Sequence, residues 1–474
     1  MALFACIAAP AYAYAQMPEM PQLPVDTAVI TGRLDNGLTY YIRHNETPKG
    51  QADFYIAQKV GSVLEDDNQR GLAHFLEHMC FNGTKSFPGN TLVDWLESVG
   101  VKFGYNLNAY TSVDETVYNI SSVPTARESV QDSCLLILHD WANALLLDTE
   151  EINKERGVIH EEWRRSNVGQ MRILEQLLPT IYPDNRYGHR LPIGTMEVVD
   201  NFDPQVLRDY YHKWYRPDLQ GIIVVGDIDP ARIEAKIKEM FSDIKMPENA
   251  AERTYFDVPD NEGTIYAIGK DKEQPTGIFM MFFKGDKLPR EMRNTPMYYQ
   301  TKYITDLITA MLNSRLDETS NKPDAAFAAA GSYYDDFFIA KTKDAFGLQI
   351  VAKNNDILPA IEQVYRELLR AQRGGFTIGE YERAKAEYLS LYYHFDAVAE
   401  GELCGVPLFQ SGGGGDGAGG GELRDEGLAL HFVAVWLDFF GVYFCDNSCL
   451  TPSATTVSAH TTTVTSRNIC KAAR

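Results

Sequence analysis

The chain has 474 residues, of which 45% are hydrophobic and 23% are charged, a composition typical of a globular protein. Its length exceeds that of one ordinary domain and favours two domains of about 220 residues each. The formal net charge of −21 argues against nucleic acid and anionic membrane surfaces as partners.

Residues 1–16 have the pattern of a secretory signal. An apolar run from Ala2 to Ala9 is followed by Ala11-Tyr12-Ala13 and Ala13-Tyr14-Ala15, two small-residue sequences typical of signal cleavage. No basic residue precedes the run, so we expect the beginning of the signal to be missing. The sequence therefore predicts export, in bacteria to the periplasm.

Residues 26–246 are predicted to form an α+β domain that carries the functional site. Strands are expected over 26–62, with a hairpin turn at Asn36-Gly37, over the hairpin 103–120, and at 222–226. Apolar periodicity predicts helices around residues 74–78 and at 91–99, 128–146, 150–166, 204–211 and 230–241.

A second, incomplete α+β domain is predicted over residues 262–395, after a polar linker. Its expected elements are strands at 265–269, 278–283 and 346–351, helical stripes at 304–316 and 361–369, and a helix after the capping box Thr377–Glu380. Each domain should contain an antiparallel-rich sheet covered by helices. The α+β pattern does not continue in residues 396–474. We interpret them as an anomalous tail of the kind that a frameshift in the gene would produce.

The segment His74-Phe75-Leu76-Glu77-His78 is the most informative in the chain. Two histidines four residues apart lie one turn apart on the same helix face. Two neutral imidazoles there can bind Zn²⁺, and the neighbouring Glu77 can accept a proton from water. The order His-x-x-Glu-His is the inverzincin signature of metallopeptidases.

A catalytic zinc ion usually has a third protein ligand. The helix expected at 150–166 carries Glu155 and Glu162, which are seven residues apart and therefore face the same side. Either carboxylate is a possible ligand, and a solvated acidic helix face is the alternative interpretation.

Several spaced motifs make the chain similar to the pitrilysin/insulysin family of zinc peptidases, in particular to its bacterial exported members. The similarity covers about residues 26–390. It rests on His74–His78, Phe81-Asn82-Gly83-Thr84, Phe87-Pro88, Asn108-Ala109-Tyr110-Thr111, Glu155-Arg156-Gly157-Val158-Ile159 with Glu162, Tyr210–Pro217 and Val225-Gly226-Asp227.

The resemblance implies a role for each residue of the site. His74, His78 and Glu162 would bind one Zn²⁺ per chain, and Glu77 would act as the general base. Glu155 would support the site from behind. It also remains the alternative ligand, because the interval between His78 and Glu162 is longer than in the shortest family members.

The same resemblance implies how substrate binds. Asn108, Ala109 and Tyr110 match an edge strand that holds the substrate backbone, so peptides or small unfolded proteins would add to the sheet. Family members are clamshells of two halves, and this chain corresponds to about one half. We therefore expect a second peptidase half, either in the same polypeptide or as a homo- or hetero-subunit.

Three functional hypotheses follow from the sequence. The first is an exported zinc endopeptidase. The second is a catalytically weak or silent subunit that holds peptides and needs a partner half. The third is a structural α+β protein in which the histidine motif occurs by chance; the agreement of several motifs in order disfavours it.

Overall fold

The computed structural model describes the backbone of residues 21–399 and the side chains of residues 21–391. The segment interpreted as a signal, 1–16, lies outside the described residues, as does the tail from residue 400 onward. Within the described part the chain folds as an α+β protein with two sheets, each covered by helices, as the sequence predicted.

The first sheet has six strands in the spatial order β1-β2-β6-β3-β5-β4. Neighbouring strands are antiparallel except β2 and β6, which run parallel. The hairpin predicted at Asn36-Gly37 joins the first two strands, and Gly37 takes a φ of 99° that favours glycine. The strands are β1 (Val29–Arg33), β2 (Thr39–His44), β3 (Gln51–Gln58), β4 (Leu107–Thr111), β5 (Thr116–Pro124) and β6 (Gln220–Gly226).

Helices that pack against this sheet occur between β3 and β4, between β5 and β6, and after β6. They are α1 (Leu72–Met79), α2 (Thr91–Ser98), α3 (Glu128–Asn143), α4 (Thr149–Ser166), α5 (Gly169–Ile181), α6 (Met196–Asn201), α7 (Pro204–Trp214) and α8 (Pro230–Phe241). Phe54 and Ile56 of β3 point into the core between the sheet and these helices and are fully buried, as is Trp141 of α3. Burying aromatic and branched side chains of this size contributes about 1.5–3 kcal/mol each.

Side chains alternate across the strands, so the sheet has a second face. Buried Ala57, Val117 and Ile223 form a small apolar cluster there, together with Tyr41. Tyr55 and Tyr110 pack against the cluster from β3 and β4. We call the surface formed by Tyr41, Tyr55 and Tyr110 over these residues the tyrosine face.

The second sheet has three strands in the order β7-β9-β8, all antiparallel. Its described elements are β7 (Ile278–Gly285), α9 (Pro296–Ser320), β8 (Phe327–Phe337), β9 (Ala340–Ala352), α10 (Ile357–Gly374) and α11 (Ile378–Ala399). The Tyr182 hydroxyl donates a hydrogen bond of 2.5 Å to the carbonyl of Phe337, and Lys341 forms an ion pair with Glu115. These contacts join the two sheets into one body.

The structure differs from the sequence prediction at four elements. Residues 265–269, predicted as a strand, form none in the described chain, and Tyr266 and Ile268 are 80% and 86% exposed. Three elements had not been predicted, α5, α6 and β8. Strand β8 contains the run Ala328-Ala329-Ala330-Gly331, which has low strand propensity, and it is held by its pairing with β9.

None of the helices within residues 21–399 has both the length and the apolar character required to cross a lipid bilayer.

Candidate metal centre

Helix α1 is short, and contacts at both ends fix its position. The Glu65 carboxylate accepts hydrogen bonds from the backbone N–H groups of Gly71 (3.0 Å) and Ala73 (2.8 Å) at its beginning. Complete burial raises the pKa of Glu65 to about 8, although these two N–H groups act in the opposite direction. At the other end, the Trp141 indole N–H donates 2.8 Å to the carbonyl of Cys80. A helix anchored in this way holds its side chains rigidly.

His74 and His78 lie on one face of α1, as their spacing predicted, and Glu162 of α4 meets them there. Nε2 of His74 lies 3.5 Å from Oε2 of Glu162, and Nε2 of His78 lies 3.4 Å from the same oxygen. One ligand atom from each of the three residues falls within 4.8 Å of the others. His74 and Glu162 are each only 1% exposed.

The polar atoms of this cluster are unsatisfied by the protein. Both ring nitrogens of His74 and both carboxylate oxygens of Glu162 are buried and make no hydrogen bond within the described chain. Buried polar atoms without partners are costly, so their convergence on one point suits a bound metal ion. Two imidazoles and one carboxylate are a donor set of catalytic zinc sites, and the residues therefore fit a zinc ion.

Burial and charge set the protonation of two of these groups. Complete burial lowers the pKa of His74 to about 4, despite the nearby Glu162, so its imidazole is neutral at pH 7 and has a lone pair for a metal. Burial alone would raise the pKa of Glu162, but the His78 and His74 imidazoles lower it, so Glu162 is an anion at pH 7. Both groups are in the state that a metal ligand requires.

Glu155 contacts the opposite nitrogen of His78. Its Oε1 lies 2.7 Å from Nδ1 of His78, and its Oε2 accepts 2.6 Å from the side-chain amide of Asn82. Burial alone would lower the pKa of His78, but the nearby carboxylates of Glu155 and Glu162 raise it to about 10. Two carboxylates two helical turns apart thus bracket one imidazole. Glu155 orients the ring, and Glu162 faces the point where both histidines converge.

Glu77 projects toward the first sheet. Its Oε2 accepts a hydrogen bond of 2.6 Å from the Thr111 hydroxyl, and the carboxylate is almost completely buried. Thr111 is the last residue of β4, the terminal strand of the described sheet. Asn108, Ala109 and Tyr110 precede it on the same strand and are half-buried. The structure therefore brings the three residues expected to bind substrate next to the residue expected to act as base.

Sequence reasoning did not assign roles to Thr111, Asn82 or Glu65. Thr111 and Asn82 fall in the motifs quoted above, but no spacing rule links them to Glu77 or Glu155. Glu65 precedes α1 by seven residues, and only the fold turns its carboxylate back onto the beginning of that helix.

A second group of possible ligands, His44, Glu46 and Asp227, lies at the surface. Two of its members already have partners in the protein. His44 Nδ1 lies 2.8 Å from the carbonyl of Ile228, and Asp227 accepts 2.8 Å from the backbone N–H of Gly50. This arrangement lacks the unsatisfied buried atoms of the first cluster.

Two family models match the chain in tandem. The model described as Insulinase (Peptidase family M16) matches residues 41–192, and the model described as Peptidase M16 inactive domain matches residues 201–388. Together they span nearly all of the described residues.

Curated relatives agree with these matches. The chain is 34% identical over 383 residues to the "Probable zinc protease PqqL" of Escherichia coli, covering 80% of this chain and 40% of that protein. It is 29% identical to the protein of the same name from Haemophilus influenzae, covering 76% of this chain and 38% of that protein. The chain thus spans less than half the length of these relatives.

Solved structures show the same correspondence. The first half of the periplasmic protease PqqL from Escherichia coli superposes with a TM-score of 0.72 at 29% identity, covering 96% of this chain and 90% of that one. Pitrilysin shares the fold, with a TM-score of 0.56 at 18% identity over 77% of this chain and 39% of its own. The fold is that of one half of a clamshell peptidase, and the chain belongs to the insulinase family, peptidase family M16.

Proposed function

We propose that the chain is a zinc-dependent endopeptidase of the inverzincin type that hydrolyses peptides or small unfolded proteins. The convergence of His74, His78 and Glu162 on one buried point carries this proposal, together with the His74 ring nitrogens and Glu162 carboxylate oxygens, which make no hydrogen bond within the described chain. These three residues would bind one zinc ion per chain. The names of the curated relatives as zinc proteases support the assignment.

Glu77 is the base of the proposed reaction. When bound, zinc supplies Lewis-acid chemistry that polarises a carbonyl and lowers the pKa of water toward about 7. The Glu77 carboxylate accepts a proton from the attacking water and transfers it to the nitrogen of the leaving amine. Thr111 holds one oxygen of that carboxylate, so the group is oriented before substrate arrives.

Strand β4 is the proposed binding site for the peptide backbone. It is the terminal strand of the described sheet and lies beside Glu77 through Thr111. An extended peptide that pairs with Asn108, Ala109 and Tyr110 would place a peptide bond next to the metal centre. Main-chain pairing of this kind tolerates many sequences.

The proposed organisation follows from the comparisons and the two sheets. We assign residues 26–246 to the domain with the metal centre and residues 262–395 to the second domain. The superposition on the first half of a longer protease supports a need for a second peptidase half, as a homo- or hetero-subunit or as further chain. The description of that relative as periplasmic supports export to the periplasm.

A catalytically weak or silent subunit that needs a partner half is the second candidate. One observation favours it: residues 201–388 match the model described as Peptidase M16 inactive domain. Residues of a partner half would then complete the site.

Parallel measurements of zinc content and peptide cleavage test these proposals. We expect one zinc per chain in the wild type and in Glu77→Gln, and cleavage of an extended fluorogenic peptide by the wild type alone. Glu97→Gln, which removes an exposed carboxylate from α2, serves as the matched control and should cleave normally. Zinc without cleavage in the wild type would favour the silent subunit, and a chain that binds no zinc would overturn both candidates.

A further inference from the structure

A cavity of about 400 Å³ opens beside the strands farthest from the metal centre. Thr31 and Arg33 of β1, Thr39 and Tyr41 of β2, Lys59 just after β3, and Asp218 contribute to its wall. None of these residues belongs to the proposed zinc site or to the strand β4.

The cavity is positively charged although the chain as a whole is strongly acidic. Arg33 and Lys59 are its two cations. Nε of Arg33 donates 3.2 Å to the carbonyl of Gly37, and the guanidinium pairs with no carboxylate of the described residues. Asp218, the acidic residue of the wall, already accepts a hydrogen bond of 2.8 Å from Arg216. The pKa of Lys59 is lowered to about 8, mainly by burial and further by the positive charges of Arg290, Arg253 and Arg33. Lys59 therefore still carries a positive charge in most molecules at pH 7.

One cross-strand row connects the cavity to the proposed substrate strand. Tyr110 of β4 is opposite Val117, which is opposite Ala57. Ala57 is opposite Gly221, Gly221 is opposite Thr39, and Thr39 is opposite Arg33. Residues paired in this way project from the same face of a sheet. Arg33 and Tyr110 thus mark the two ends of one row that crosses the tyrosine face.

The length of that row can be compared with the length of a peptide. Five steps between neighbouring strands at about 4.8 Å give about 24 Å. An extended peptide advances about 3.3 Å per residue, so about seven residues cover the row. A substrate that pairs with β4 on one side of the scissile bond and turns across the tyrosine face on the other side would reach the cavity about seven residues from that bond.

We propose that this cavity binds a carboxylate of the peptide substrate, from either an acidic side chain or the C-terminus, about seven residues from the scissile bond. Arg33 and Lys59 would pair with the carboxylate while the intervening peptide lies on the tyrosine face. An arginine fork matches the geometry of a carboxylate. Lys59 is half-buried, which reduces screening of its charge by solvent, whereas Arg33 is exposed. This proposal rests on the proposed peptidase function and adds a charge preference to it.

Direct binding separates this proposal from catalysis. Three fluorescently labelled 16-residue peptides would be titrated into the full-length, zinc-loaded Glu77→Gln variant. The first peptide has a single glutamate near one end and an amidated C-terminus. The second has glutamine at that position and a free C-terminal carboxylate, and the third has glutamine and an amidated C-terminus and is therefore neutral. We expect about tenfold tighter binding of at least one carboxylate peptide than of the neutral peptide, and the arm that gains affinity identifies the source of the carboxylate.

Variants of the cavity then test its role. Arg33→Gln, and independently Lys59→Met if Arg33→Gln fails to fold, should remove the preference without weakening binding of the neutral peptide. Lys49→Gln, which removes an exposed cation from the turn between β2 and β3, should preserve the preference. Equal binding of all three peptides, absence of any binding, or a preference that survives in both cavity variants would overturn the proposal.

The outcome is distinguishable from a failure of the proposed function. A wild-type chain that cleaves peptides without regard to charge overturns only the carboxylate site. A chain that prefers carboxylate peptides but shows no cleavage overturns only the activity.

Discussion

The Thr111 hydroxyl donates a 2.6 Å hydrogen bond to Oε2 of Glu77 and thereby joins the terminal strand of the first sheet to the helix that carries both histidines. Both residues are almost completely buried. The proposed base and the strand proposed to bind substrate therefore keep a fixed separation. Hydrogen bonds to an ionised carboxylate are also stronger than those between neutral groups.

Replacement of Thr111 by valine tests this arrangement, because valine keeps the shape and removes the hydroxyl. We expect kcat for an extended peptide to fall about tenfold, since Glu77 loses the hydrogen bond that holds one of its oxygens. Zinc content should remain at the wild-type value. Thr111→Ser, which retains the hydroxyl, should recover most of the activity; an unchanged kcat in Thr111→Val would remove the positioning role.

The contact between Glu155 and His78 yields a second prediction. Glu155→Gln should weaken zinc affinity about 10- to 100-fold, because the partner that orients the imidazole is altered. Competition with a zinc chelator measures this change. The matched control is Glu161→Gln on the same helix, whose carboxylate is exposed and pairs with Arg164 and Arg165. Equal zinc affinity in the two variants would contradict the role of Glu155.

Parts of the site could be predicted from local sequence, and parts depended on the fold. The spacing of His74 and His78 placed them on one helix face, because helical periodicity is a local property. Spacing alone could not decide whether Glu155 or Glu162 is the metal ligand, because residues seven positions apart face the same side of a helix. The packing of α4 against α1 decides which one meets both imidazoles: Glu162 lies within 3.5 Å of each, whereas Glu155 meets Nδ1 of His78.

The elements of the fold also divide into those that local sequence predicts and those that depend on tertiary pairing. The hairpin at Asn36-Gly37 and the capping box at Thr377 were predicted correctly, because turn and cap chemistry is local. Strand β8 was missed because its alanines have low strand propensity and tertiary pairing overrides that preference. Conversely, residues 265–269 have a strand-like composition, but no neighbouring strand pairs with them in the described chain.

An ion pair in the second domain predicts acid sensitivity. Arg315 Nε and Nη2 lie 2.5 and 2.9 Å from the two oxygens of Glu380, which also accepts from the backbone of Thr377. The hydrogen bond from Arg315 is the main cause that lowers the pKa of Glu380 to about 2. The stabilisation is therefore complete above pH 4.5, the ordinary value, and is lost as pH falls toward 2.

Glu380→Gln should lower the free energy of unfolding by about 1 kcal/mol at pH 7, since the pair is close to solvent, which screens it. The difference from the wild type should shrink as pH falls from 4.5 toward 2. Urea unfolding at several pH values measures both effects. Glu382→Gln, an exposed neighbour on α11, should behave like the wild type, and a pH-independent difference would argue against the ion pair.

The cavity at Arg33 should lose part of its preference for carboxylates at alkaline pH. Lys59, with a pKa of about 8, is charged below that pH and neutral above it; its charged neighbours are Arg33, Arg290, Arg253 and Asp218. Burial raises the pKa of Tyr41, so its hydroxyl remains neutral over this range. We expect the affinity ratio of carboxylate to neutral peptide to fall several-fold between about pH 7 and pH 9. In Lys59→Met the ratio should not change over this range, and the same decline in that variant would contradict the assignment to Lys59.

Zinc binding to matched variants tests the central claim most directly. Equilibrium dialysis against a zinc buffer would compare the wild type with Glu162→Gln and with Asp227→Asn, which alters the surface cluster. We expect one zinc per chain in the wild type and in Asp227→Asn, and loss of the ion from Glu162→Gln at the same free zinc concentration. Full zinc occupancy in Glu162→Gln, or loss only in Asp227→Asn, would contradict a metal centre built from His74, His78 and Glu162.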